Sequence, residues 1–240
     1  MKIDVYASHT HVADKDIRGK QCVVIDTLRA TSVIVTALSN GCKQVVPVAE
    51  VDQAMELKAT MVTVAILGGE RNALKVPGFD LGNSPLEYTT DVVAAKTVIL
   101  TTTNGTQAIQ KAQSANNVLI GSMINGVTVA SALMRAREDA VIVCAGTKGR
   151  FSLEDILTAG YIIYRMRRFG AVEPIETDDL GTVCEQLYIA NRDHLVLALE
   201  NAHHFHVLVE AGMKKDVLYC MKRDIVHVLP RLNDGRIALD

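Results

Sequence analysis

Short apolar runs rich in β-branched residues recur between Gln21 and Cys144, and the segments between them carry apolar positions at helical spacing. The runs predict strands over 21–26, 43–48, 63–67, 97–101, 117–120 and 140–144. Most are apolar without alternation, the pattern of central parallel strands covered on both faces. The intervening segments predict helices over 32–39, 51–59, 105–112 and 127–137. Strand and helix alternating at this spacing imply an α/β fold with a mainly parallel sheet flanked by helices. After Phe151 the pattern changes to helices over 152–169, 178–191 and 192–210, with a short strand over 225–229 before a polar tail. No linker rich in Pro, Gly or Ser interrupts the chain, so 1–240 is read as one domain with a helical C-terminal portion packed on the sheet.

Composition sharpens this picture at a few points. Apolar residues make up 49% of the chain and aromatics only 4%, with no Trp, so Val, Ile, Leu and Ala must fill the core. The net charge is −2 and no long basic run occurs, so the electrostatic footprint of a nucleic-acid binder is missing. No apolar run approaches the roughly 18 residues of a membrane span. Asp4 lies where a signal peptide would be apolar. A cytoplasmic protein that meets neither nucleic acid nor membrane is expected, with assembly as a homo-oligomer left open. The five cysteines (Cys22, Cys42, Cys144, Cys184, Cys220) are odd in number and form no Cys-x-x-Cys pair, which argues against a disulfide framework or structural zinc.

Ligands of open parallel sheets bind beyond the carboxyl ends of the strands, and four predicted strand ends carry polar chemistry. They read Asp26-Thr27-Leu28-Arg29-Ala30-Thr31-Ser32, Gly68-Gly69-Glu70-Arg71, Thr102-Thr103-Asn104-Gly105-Thr106 and Ala145-Gly146-Thr147-Lys148-Gly149-Arg150. Asp26 reads either as a partner of Arg29 or as a metal ligand or base beside an anion clamp. The Thr102–Gly105 turn opens a helix, whose amide groups and hydroxyls suit an oxyanion as well as a simple cap. Ser152-Leu153-Glu154-Asp155 resembles a capping box, and its two acids alternatively offer hard oxygen ligands to Mg²⁺. The long irregular stretch from Gly68 to Tyr88 is of the kind that is commonly functional, and it contains Asn83.

Taken in order, these segments and Gly78-Phe79-Asp80-Leu81-Gly82-Asn83-Ser84-Pro85 resemble the 2-phosphosulfolactate phosphatase family from about Asp26 to Asp155, with a looser match beyond. The resemblance implies a three-layer α/β architecture and a Mg²⁺-dependent phosphatase converting 2-phospho-3-sulfolactate to 3-sulfolactate and phosphate, a step toward coenzyme M. Thr27 and Ser32 depart from the Val and second Thr expected in the first motif, and Asn72-Ala73 stands where a glycine is expected.

From the chemistry of the residues, Asp26 and Glu70 are the candidate catalytic groups. Asp26, Glu70, Glu154 and Asp155 are candidate Mg²⁺ ligands. Arg29, Arg71, Asn83, Thr102, Thr103, Asn104, Gly105 and Lys148 are candidate contacts to a small anionic phosphoester, since arginine planes match such oxyanions. Three rival readings remain. Cys144 and Arg150 have the spacing of a Cys-x5-Arg phosphate loop, though Val143 precedes the cysteine. Asp26 could form an aspartyl phosphate, though Leu28 stands where a second Asp is usual. A non-catalytic binder of small anionic acids would keep the arginines without turnover. The His203-His204-Phe205-His206 run and the His9, His11 pair read as partly exposed surface.

Overall fold

The structure is a computed structural model that describes residues 1–169 and 174–239. Its strands are β1 (Lys2–Tyr6), β2 (Gln21–Ile25), β3 (Gln44–Pro47), β4 (Ala65–Arg71), β5 (Leu74–Lys75), β6 (Thr97–Thr101), β7 (Asn117–Gly121), β8 (Ala140–Cys144), β9 (Glu176–Thr177), β10 (Arg231–Asn233) and β11 (Arg236–Ala238). The helices are α1 (Asp14–Ile17), α2 (Ala30–Ser39), α3 (Val51–Thr60), α4 (Thr90–Val93), α5 (Gly105–Lys111), α6 (Gly126–Ala136), α7 (Leu153–Arg168), α8 (Asp179–Asn191), α9 (Leu195–Ala198), α10 (His203–Glu210) and α11 (Lys214–Cys220).

The strands form one sheet in the order β5-β4-β6-β3-β11-β10-β7-β2-β8-β1-β9. It is mainly parallel and flanked by helices, as the alternating pattern predicts. Two parallel blocks, β4-β6-β3 and β7-β2-β8-β1-β9, are joined by the antiparallel hairpin β10-β11. Three successive antiparallel pairings reverse the direction, so the two blocks run opposite ways. The strand ends that the sequence suggests for a single rim therefore come from two blocks.

What brings those ends together is α2. Every residue from Ala30 to Leu38 is buried, as expected for a helix that is apolar all round and enclosed. It shares one core cluster with α5 and with strands of both blocks, including Val24, Val118 and Val143 on one side and Val45, Val98 and Leu100 on the other. In β2 the alternate residues Val23 and Ile25 join a second cluster with α6 and α7. Burial on both faces explains why this strand reads as an unbroken apolar run. A third cluster carries the C-terminal helices onto α7 through Leu157, Tyr188, Phe205 and Leu208.

Several elements differ from the sequence reading. The closing strand lies at 231–238 as a hairpin, while 225–229 is irregular. The single helix over 192–210 is broken into α9 and α10. Strand β1, read only for its acid, pairs with β8 and β9. Among the described residues, no helix is long and apolar enough to cross a membrane.

Candidate active site

Asp26 follows the last residue of β2, and the first turns of α2 and α5 close around it. A Cβ at Gly105 would collide with the Ala30 methyl and with Asp26 Oδ2, so glycine here lets α5 begin against the carboxylate. Asp26 lies on a cleft of about 150 Å³ with Arg29, Glu70, Thr103, Asn104 and His204. Asn83 and Lys148 line it as well. Residues from both sheet blocks therefore meet in one concavity.

The four candidate carboxylates are all buried, but they are held differently. Glu70 accepts the Thr103 amide on Oε1 and the Ala73 amide on Oε2, each at 2.8 Å. Asp155 accepts the Thr27 amide on Oδ1 at 2.9 Å and the Gly146 amide on Oδ2 at 3.1 Å. These two acids tie loops to the sheet ends. Glu154 instead takes a hydrogen bond on Oε1 from His204 Nδ1 at 2.7 Å, and its buried Oε2 has no partner.

Burial pushes the Asp26 carboxyl up to about 6; His204 opposes this, while the Glu70 and Glu154 carboxylates add to it. Asp155 is held well above the usual carboxylate range by burial, then by Glu154 and Asp26. For His204, burial lowers the pKa, yet the Glu154 hydrogen bond and charge leave it above its ordinary value. These shifts describe carboxylates crowded together without enough positive charge among them.

The cationic and hydroxyl candidates separate into two groups. Arg29 is buried and lines the cleft, but its partner is Asp216 at 2.6 Å, not Asp26. Its other nitrogen donates to the Ala73 carbonyl at 2.9 Å. Ser84 donates to Asp216 Oδ1 at 2.7 Å, which fixes this counterion. Asn83 Oδ1 and Thr103 Oγ1 are buried without partners. The Lys148 amide donates to Asn104 Oδ1 at 3.3 Å.

Arg71 and Thr102 do not reach the cleft. Arg71 donates to the carbonyls of Glu70 and Ala49 and to Thr101 Oγ1. The reason is strand alternation: Glu70 faces the cleft, so the next residue of β4 turns away. Thr102 Oγ1 accepts the Thr106 amide at 3.1 Å and so caps the start of α5. The cysteine reading is overturned. Cys144 is fully enclosed in the core among β8 neighbours, and burial, followed by Asp155 and Cys184, holds its thiol far above the thiolate range. Arg150 is exposed and absent from the cleft lining.

His204 and Asp216 are the site residues that sequence reasoning missed. The histidine run reads as a helix face, and only folding brings α10 against Glu154. Asp216 lies on α11, which was not anticipated.

A family model described as 2-phosphosulpholactate phosphatase matches residues 6–235. The chain belongs to this phosphatase family. Curated relatives agree in length as well as sequence. A protein of Clostridium acetobutylicum named "Probable 2-phosphosulfolactate phosphatase" is 46% identical, over 99% of this chain and 100% of its own. Proteins of the same name from Clostridium novyi and Caldanaerobacter subterraneus are 45% and 43% identical, over 99% and 98% of this chain and 100% and 97% of theirs. Membership of the 2-phosphosulfolactate phosphatase family makes the chain an enzyme of the phosphoric monoester hydrolase class.

Among the described residues, no three His, Cys, Asp or Glu side chains are grouped to hold one metal ion. The four candidate carboxylates therefore do not converge as one ligand cluster. A hard divalent ion that keeps most of its waters needs only one or two carboxylates. Asp26 and the partnerless Glu154 Oε2 fit that requirement; Glu70 and Asp155 have given their oxygens to amides.

Proposed function

We propose that the enzyme hydrolyses 2-phospho-3-sulfolactate to 3-sulfolactate and phosphate in the Asp26 cleft, with Mg²⁺ as cofactor. The reading is carried by one observation: a partnerless carboxylate oxygen on Glu154, beside a histidine that faces the same cleft as Asp26.

The substrate carries a carboxylate, a sulfonate and a phosphate, together about four negative charges. A cleft with Asp26 and Glu70 on its wall would repel it unless a cation lay between. Asp26 and Glu154 are the residues that would hold Mg²⁺. Bound there, Mg²⁺ would supply Lewis acidity toward the phosphate and its attacking water.

The remaining work falls to the chain's own groups. Arg29 and Lys148 hold the carboxylate and sulfonate, Arg29 fixed in position by Asp216. The Thr103 hydroxyl and the Asn83 and Asn104 amides orient the anion along the cleft. His204, with Nδ1 engaged by Glu154, presents Nε2 to donate a proton to the departing alkoxide oxygen. Phosphoryl transfer depends mostly on such positioning and charge stabilisation.

The test is phosphate release from a panel of 2-phospho acids, with Mg²⁺ and with excess EDTA. We expect the sulfonated acid to give the highest kcat/KM and EDTA to abolish turnover. Undiminished turnover in EDTA would remove the metal. Retained anion binding with no turnover on any ester would replace the phosphatase with a binder.

A further inference from the structure

A second cavity, of about 310 Å³, lies on the C-terminal helices and shares no lining residue with the Asp26 cleft. Three arginines line it: Arg165 from α7, Arg192 just after α8, and Arg223 after α11. Two carboxylates accompany them. Asp193 is 78% exposed and stays 3.8 Å from Arg192 Nε. Asp224 is committed elsewhere, accepting the Val127 amide at 2.8 Å on one oxygen and the Tyr161 hydroxyl on the other.

The donors here outnumber the acceptors. Arg165 Nε is buried with no hydrogen-bond partner, and its guanidinium carbon lies 5.8 Å from the Phe169 ring. Burying a guanidinium N–H without an acceptor is costly, and the usual reason is an acceptor that the protein itself does not supply. Arg223 donates to the Tyr188 hydroxyl at 3.0 Å, and Arg192 is 3.5 Å from the Tyr164 hydroxyl. A tyrosine that accepts from arginine keeps its own proton to give away, so Tyr188 and Tyr164 extend the donor surface. The Tyr161–Tyr188 and Tyr164–Tyr188 ring pairs, 4.9 and 5.2 Å between centroids, make this wall rigid.

We propose that this cavity is a second binding site, separate from the catalytic cleft, for a small oxyanion of the phosphate type. The planar guanidinium groups and the tyrosine hydroxyls match the oxygens of such an anion, and its charge offsets that of Arg165. Occupancy does not require turnover, so the test is independent of the substrate assigned to the cleft.

Crystals of the full chain soaked in sodium tungstate, an electron-dense phosphate mimic, provide that test. We expect an anomalous peak within hydrogen-bond reach of Arg165 and Arg223, whether or not the cleft also binds tungstate. Arg165→Gln and Arg223→Gln, prepared separately so that a folding failure in one leaves the other, should each lose it. Absence of the peak in the wild type would overturn the proposal, as would a peak that survives in a folded variant.

Discussion

Glu70 and Glu154 are both buried and identical in chemistry, yet they are employed differently: Glu70 lines the Asp26 cleft, and Glu154 meets it through His204. On the wall built from β4 and the turn after β6, both Glu70 oxygens receive backbone amides. Where α7 meets α10, Glu154 shares one oxygen with His204 and leaves the other without a donor. A carboxylate satisfied by amides holds loops in place. One with a bare buried oxygen beside two other acids is the carboxylate that the proposed function assigns to a cation. Burial alone does not separate scaffold from chemistry here; hydrogen-bond accounting does.

The largest effect should come from Asp26, the acid that lines the cleft and feels the charge of both glutamates. Asp26→Asn should lower kcat about a thousandfold. The same variant should be the more stable protein when metal-free at neutral pH. Folded Asp26 keeps its proton up to about pH 6, against about 3.9 when unfolded. Its contribution to stability is therefore whole below the unfolded value and lost as pH rises through about 6. Denaturant titrations at pH 4 and 7 should show a decline about 2 kcal/mol larger than that of the Asn variant; equal declines would place Asp26 in an ordinary, solvated setting.

A smaller loss is expected when the imidazole bonded to Glu154 is removed. His204→Gln should reduce kcat about 10–100-fold. Glu154 holds the imidazolium above the ordinary histidine range, so the wild-type rate should fall as pH rises through that raised value. The Gln variant should have a flat alkaline limb, and a pH–rate profile that keeps the wild-type limb would exclude His204 as the proton donor.

The smallest effect belongs to Arg71, which turns away from the cleft. Arg71→Ala should leave KM within about twofold while lowering stability by about 1–2 kcal/mol through its lost hydrogen bonds. A tenfold rise in KM would put this arginine back on the substrate.

These outcomes also bear on what the sequence makes legible. Strands such as β6 and β8 lie where their apolar runs place them, because burial on both faces leaves an unbroken signature. Strand β1 alternates Lys2, Asp4 and Tyr6 with Ile3 and Val5, a short pattern that pairing with β8 completes. The hairpin β10-β11 is three residues per strand and polar at its turn, too little to register in a pattern. At the site, Asp26, Glu70, Asn83, Thr103, Asn104 and Lys148 are legible because polar residues clustered at the ends of apolar strands and in a long loop stand out from the core pattern. Arg71 was misplaced although its adjacency to Glu70 within a strand sends the two side chains to opposite faces. His204 and Asp216 were invisible for another reason: their partners Glu154 and Arg29 lie 50 and 187 residues away, and only packing of the C-terminal helices joins them.

The contrast between the two glutamates is tested most directly by kcat for phosphate release in Glu154→Gln against Glu70→Gln, both at saturating Mg²⁺. The account predicts that Glu154→Gln loses about a thousandfold while its melting temperature is maintained. Glu70→Gln, with an amide set against backbone N–H groups, should lose about 1–3 kcal/mol of stability and far less activity. A Glu154→Gln enzyme that turns over like wild type, beside an inactive but fully stable Glu70→Gln, would contradict it.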